Sequence, residues 1–260
     1  MNIGLVLSGG GVRGIAHIGA IQALEENNII PTYIAGTSAG AIVGALYANG
    51  YSCDKMMQFF NSVQIFSLSK YAINKPGFID TEKFYNDFKS YFPTDNFDNL
   101  NKKLFVTATN LLSGQLKVFS KGELIKPILA SAAFPGVFTP VKINEEYYID
   151  GGILNNFPVD LISSYCNKLI GVYVNSFETI NNNNTLKHSY NVVERALKIK
   201  SANDSIKKFK ACDIIISPKD LSNYSTFYMN NFDEIFKLGY DATINVLETK
   251  QGIQFLKSNL

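Results

Sequence analysis

The sequence predicts an α/β domain with a mixed, largely parallel central sheet. Three observations lead there. Apolar runs such as Ile3–Leu7, Leu169–Val174 and Ile214–Ser217 are short and continuous, which suits strands buried on both faces. Helical stretches alternate with them. Between Ile3 and Gly40 a glycine-containing turn twice joins a strand to a helix, the alternation that parallel pairing requires. At 260 residues the chain can bury one sizeable core, and no repeat or linker divides it, so residues 1–260 read as a single domain.

The elements follow in order. Ile3–Leu7 is a strand ended by glycines. Val12 to Glu26 is apolar nearly all round until Glu25 and Glu26, hence a buried helix. Tyr33–Ala35 is a second strand, and Ala39 to Ala48 a second helix that closes at Asn49-Gly50. Cys53 to Phe92 is less regular, with Met56, Met57, Phe59, Phe60, Phe66, Phe78, Phe84, Phe88 and Phe92 at partly helical spacings. Lys103–Thr109 and Gln115–Ser120 flank Leu112-Ser113-Gly114 as a hairpin. Glu123 to Ala133 reads as helix despite Pro127, and Val141–Ile143 with Tyr147–Ile149 as a second hairpin. Leu161–Tyr165 reads as a short helix and Asn181–Asn184 as a polar loop. Val192 to Lys210 and Phe232 to Leu247 are long helices.

Composition narrows the function. The chain is 46% hydrophobic and 18% charged, which excludes a disordered or low-complexity protein. A net charge of +2 is too small to argue for a nucleic-acid partner. Cys53, Cys166 and Cys212 have no paired spacing, so a disulfide framework or zinc ribbon is not expected and a reducing compartment is. Only His17 and His188 could serve a histidine-based mechanism. The N-terminal residues lack the basic region of a signal peptide. The uncharged stretch between Asn27 and Cys53 contains Pro31 and a turn cluster, and reads as strand, turn and buried helix rather than a span. A soluble, cytoplasmic protein is expected.

Two turns carry the chemistry. Ser8-Gly9-Gly10-Gly11-Val12-Arg13-Gly14 exposes consecutive N–H groups at a helix N-terminus, a place that favours an anion. Its Gly9, Gly11 and Gly14 also satisfy G-x-G-x-x-G. A dinucleotide site would want an acidic residue after the second strand, and none is there; a P-loop would want Gly-Lys-Ser/Thr. An oxyanion hole is the better use of the same donors. Gly36-Thr37-Ser38-Ala39-Gly40 matches the G-x-S-x-G elbow in the strand–turn–helix setting that it needs, with Gly36 and Gly40 permitting a strained turn that exposes Ser38 Oγ. An N-capping serine in an ordinary turn is the plainer alternative. Three residues compete as base. The order Ser38, Asp150, His188 reproduces an α/β-hydrolase triad, yet only one strand and one helix precede Ser38. His17 lies on the buried helix and reads as a core residue. Asp150, followed by two glycines at a strand end, could be base or mere turn.

Taken together, Gly9–Gly14, Gly36–Gly40, Ala130-Ser131-Ala132-Ala133-Phe134-Pro135 and Asp150-Gly151-Gly152 resemble the patatin-like phospholipases, including the bacterial members and the neuropathy-target-esterase branch. The resemblance spans Ile3 to Pro158 and implies a patatin-type three-layer sandwich. It implies lipid acyl hydrolysis by a serine–aspartate dyad, with Ser38 as nucleophile, Asp150 as base and Gly9, Gly10, Gly11, Val12 and Arg13 as oxyanion hole. Such a base should be partly desolvated and close to Ser38 Oγ. No metal or cofactor is required. Arg13 could steady its loop or meet a lipid phosphate. Residues 53–101 become a candidate lipid-facing cap in transient, salt-insensitive contact with a membrane. A thioesterase or acyltransferase using the same serine, and an inactive lipid-binding module, remain the alternatives.

Overall fold

The structure, a computed structural model, describes residues 1–63, 68–176, 189–226 and 231–257. Eight strands form one sheet among these residues: β1 (Ile3–Leu7), β2 (Tyr33–Gly36), β3 (Lys103–Asn110), β4 (Leu116–Phe119), β5 (Val141–Ile143), β6 (Glu146–Asp150), β7 (Lys168–Val172) and β8 (Ile214–Ile216). Their spatial order is β5-β6-β3-β2-β1-β7-β8, with β4 also pairing β3. The run β3-β2-β1-β7-β8 is parallel, while β4, β5 and β6 pair antiparallel. The mixed, mostly parallel sheet is therefore present. The chain leaves β1 toward β2 and β3, then returns on the other side as β7 and β8, so the crevice beyond β1 and β7 is a topological switch point.

Sheet residues alternate between two cores, as a pleated strand dictates. Leu5, Leu7, Ile34, Ile170, Val172, Ile214 and Ile216 face the larger core, while Val6, Ala35, Leu169 and Ile215 face the smaller. The larger core is built with the helices α1 (Ile15–Glu26), α2 (Ala39–Ala48), α3 (Cys53–Ser62), α4 (Tyr85–Tyr91), α5 (Ile125–Ser131), α7 (Phe232–Leu247) and α8 (Lys250–Lys257). The smaller core is roofed by Phe157, Val159, Ile162, Tyr173 and Phe209 from turns. Helix α6 (Ser189–Ile206) lies between β7 and β8 in the chain.

Several local expectations are corrected. Leu161–Tyr165 is not a helix: Val159–Leu161 forms one 3₁₀ turn and the chain then turns into β7, where Asn167 N already donates to Asn2 O at 2.9 Å. The first turn of the helix expected from Val12 is 3₁₀ (Gly11–Gly14), and its Val12 N–H, without an acceptor inside the helix, donates to Thr226 O. Helix α5 begins at Ile125, where Asp95 Oδ1 accepts from Leu124 N (2.9 Å) and Ile125 N (2.7 Å), a cap supplied from far away in sequence. The Asn181–Asn184 loop and Phe66 lie outside the described residues.

Candidate active site

The elbow sits at the C-terminal edge of β2. Ser38 has φ 55° and ψ −124°, a strained conformation for a residue with a side chain. Gly36 and Gly40 permit it: a Cβ at Gly36 would lie 2.5 Å from Gly40 O, and one at Gly40 would strike the Leu7 carbonyl. The strain is held by hydrogen bonds. Thr37 Oγ1 lies 2.6 Å from Thr107 Oγ1 and donates to Asn155 O at 2.9 Å; Ser38 N donates to Ser131 Oγ at 2.8 Å. Ser38 precedes α2 but its side chain makes no capping bond, so the plain N-cap alternative does not hold.

Parallel pairing of Leu7 with Gly36 sets the glycine loop beside the elbow. Gly11 has φ +61° and abuts Thr226 so closely that no Cβ fits. Gly9 N donates to Asn156 O (3.3 Å) and Val12 N to Thr226 O (2.9 Å), so neither N–H is available to a ligand. This corrects the sequence expectation that included them as donors. The N–H groups of Gly10 and Gly11 make no hydrogen bond to the described residues. Arg13 is 3% exposed; its Nη1 donates to Asn175 Oδ1 (3.4 Å) and Nη2 to Thr226 Oγ1 (3.0 Å), so it anchors the loop. His17 sits behind the loop with Nε2 2.8 Å from Ser8 O, and burial pushes its pKa down to about 4. It is a neutral brace, as a core histidine should be. His188 lies outside the described residues.

Asp150 reaches the same edge because β6 runs antiparallel to β3, placing it opposite Ala108, just past the end of β2. Its Oδ1 accepts from Gly152 N at 2.7 Å. Burial raises its pKa to about 6; the Gly152 N–H and the nearby Ser38 hydroxyl pull the other way and lose. Turn and titratable site are thus the same residue.

Ser38, Asp150 and Gly9–Val12 line one cavity of about 160 Å³. Its walls are mainly apolar, with Phe59 and Phe60 from α3, Phe88 from α4, and Phe84, Phe134 and Phe138. Phe59 packs edge-on against Phe60, Phe88 and Tyr91. Phe59, Phe84 and Phe88 therefore serve as core and chamber wall at once. Sequence reasoning gave no role to Ser131, Thr37, Asn156, Asn175 or Thr226. Thr37 and Ser131 stand inside the elbow and the Ala130–Pro135 motif, but the others bear no local signal, because their partners are distant in sequence. Among the described residues no metal-ligand cluster of His, Cys, Asp or Glu occurs, and no helix is long and apolar enough to cross a membrane.

A strained serine beside a buried carboxylate and a glycine loop, at the edge of a mostly parallel sheet, defines an α/β domain of the nucleophile-elbow kind. Residues 5–162 match the family model of patatin-like phospholipases, and the chain belongs to that family. Among curated proteins it is 27% identical over 271 residues to a lysophospholipase, NTE1, of Candida glabrata, covering 92% of this chain and 16% of that protein. It is 35% identical over 160 residues to an NTE family protein of Mycobacterium bovis, covering 60% of this chain and 44% of that protein. The chain thus spans less than half the length of these relatives. Among solved structures, VipD from Legionella pneumophila has a TM-score of 0.61 at 17% identity, covering 95% of this chain and 67% of that one. The type III effector ExoU has a TM-score of 0.50 at 16% identity, covering 96% and 53%. Both likenesses concern the α/β three-layer fold.

Proposed function

We propose that the chain is a serine lipid acyl hydrolase, cleaving carboxylic esters of (lyso)phospholipids through a Ser38–Asp150 dyad and an acyl-enzyme. The observation that carries this reading is the cavity joining Ser38, Asp150 and the Gly10 and Gly11 amides to an apolar chamber. Ionised Asp150 takes the Ser38 proton as Oγ attacks the ester carbonyl, and the Gly10 and Gly11 N–H groups receive the oxyanion. The proton passes from Asp150 to the leaving alcohol. Water then attacks the acyl-serine with Asp150 again as base, the proton returns from Asp150 to Ser38 Oγ as the acyl bond breaks, and the fatty acid departs. A carboxylate raised to about 6 is a better base than an ordinary aspartate and is still ionised at neutral pH. Family membership and the name of the Candida glabrata relative support a lipid substrate. Hydrolysis of a p-nitrophenyl ester and a lysophospholipid by the native chain but not by Ser38→Ala tests the reading.

The pH profile follows from the same carboxyl. Below about 6 the log of kcat/KM should fall by roughly one unit per pH unit, because Asp150 must lose its proton to act. A flat profile between pH 4 and 8 on a slow ester would remove Asp150 as base.

Contact with a lipid surface belongs to the same reading. Ile73 is 76% and Phe78 70% exposed, on the segment between α3 and α4 that leads to the cavity-lining Phe84. Two lysines on that segment are neutralised, Lys75 by Asp80 and Glu82 and Lys70 by Asp87, while Lys83 Nζ donates to Tyr71 O. The contact should be apolar and little affected by salt. Ile73→Ser with Phe78→Ser should slow hydrolysis of vesicle-borne lipid about tenfold while sparing a dissolved short-chain ester; equal rates on both would exclude this tip. The cysteines Cys53, Cys166 and Cys212 are free thiols, which supports a cytoplasmic setting.

A further inference from the structure

One end of the cavity is polar and is built from chain outside the family-matched residues 5–162. Asn175, Lys198, Ser201 and Thr226 line it next to Gly11 and Val12. Arg13 does not line the cavity; it is buried behind the loop, with Nη1 on Asn175 and Nη2 on Thr226. Lys198 is placed differently. Its Nζ is 2.7 Å from Glu194 Oε1 one turn back on α6, with the lysine side chain 25% exposed. Burial and the charges of Arg13 and Arg195 push the Lys198 pKa down, opposed by Glu194. The charge of Glu194 also acts on Arg13, favouring its protonated form. One carboxylate of α6 thus faces two buried or half-buried cations. Three residues further along the same helix face, Ser201 Oγ is buried and makes no hydrogen bond to the described residues. A buried hydroxyl without a partner is costly, and an acceptor in the cavity would satisfy it.

We infer that Lys198 and Ser201 of α6 form a head-group subsite that holds the phosphate of a lysophospholipid while its acyl ester lies at Ser38. The inference rests on the proposed lipid acyl hydrolase reading and adds the element that selects the substrate. A phosphate oxygen can accept a charge-assisted bond from Lys198 and a second bond from Ser201, with the acyl chain lying along the phenylalanines. A neutral glycerol head offers no charge to Lys198.

The test compares lysophosphatidylcholine with a monoacylglycerol of the same acyl chain, using p-nitrophenyl butyrate to report the state of the dyad. Lys198→Met should lower the kcat/KM ratio of the phospholipid to the neutral lipid by about 10- to 100-fold, mainly through KM, the range of a hydrogen bond to a charged group. Ser201→Ala should lower it several-fold, and Lys198→Arg should restore most of it. An unchanged ratio in Lys198→Met that still cleaves the butyrate ester overturns the subsite. If Lys198→Met does not fold, an unchanged ratio in Ser201→Ala overturns it instead. A native chain that cleaves none of the three esters sinks the hydrolase reading and the subsite together; a native chain that cleaves them with no response to these variants sinks the subsite alone.

Discussion

Ser38→Ala and Asp150→Asn should each remove about 10³-fold or more of ester hydrolysis, and the double variant should be little worse, because the two groups act as one unit. Asp150→Asn should meanwhile make the protein more stable at neutral pH. The carboxyl is held at about 6, above its ordinary 3.8, so the folded state binds its proton more tightly than the unfolded state does. The stability contributed by protonated Asp150 is complete below about pH 4 and is lost as pH rises through 6. Above that, an ionised Asp150 costs roughly 3 kcal/mol, which the neutral amide avoids while still accepting from Gly152. Thermal unfolding of both proteins at pH 4 and pH 8 checks this: the gain should appear at pH 8 and shrink at pH 4. If Asp150→Asn kept near-native turnover while His188→Ala abolished it, a histidine triad would replace the dyad.

Gly10→Ala should lower kcat by about 10²-fold, the scale of losing an oxyanion donor. Gly10 has φ 175°, open to any residue, so the backbone itself does not forbid alanine. The obstacle is a single neighbour: the new Cβ would lie 2.7 Å from Val174 Cγ2, and the loop must shift to relieve it. Val174→Ala in the same chain makes room, and should return most of the lost rate. Failure of that rescue, with folding intact, would mean that the position of this loop does not govern turnover. Gly11→Ala is the harsher change, since its backbone is left-handed and Thr226 blocks it; loss of fold is expected along with activity. Neither NAD nor ATP should bind saturably to the native loop, because β2 runs directly into the elbow with no ribose-binding carboxylate.

The fold was legible where local pattern and burial agree. β1, α2, β5 and α7 fall on the residues that their apolar spacing indicates. So did the two turns, because a glycine loop and an elbow announce themselves by residue type at short range. What stayed hidden depends on distant partners. Leu161–Tyr165 has helical composition, but only isolated turns close there before Asn2 takes up Asn167 at the start of β7. Val12 N looks like an available donor until Thr226, more than two hundred residues on, takes it. Ser131 Oγ supports the elbow from the end of α5, which no spacing reveals. Asp150 could be read as a turn or as a base; its burial and its nearness to Ser38 belong to the folded chain alone.

The grip on the glycine loop has a consequence for how the protein is made. Val174, Asn175 and Thr226 close on Gly10, Arg13 and Gly11, all from chain synthesised well after Ser38 and Asp150. A nascent polypeptide that has emerged only as far as Pro158 therefore already carries Ser38 and Asp150, yet lacks the Val174, Asn175 and Thr226 contacts to Gly10, Arg13 and Gly11. Translation itself keeps the site unassembled until the second half of the sheet, β7 and β8, and the segment beyond it have left the ribosome. On the proposed hydrolase reading, an unfinished chain should be inactive by the order of its synthesis, without any inhibitor.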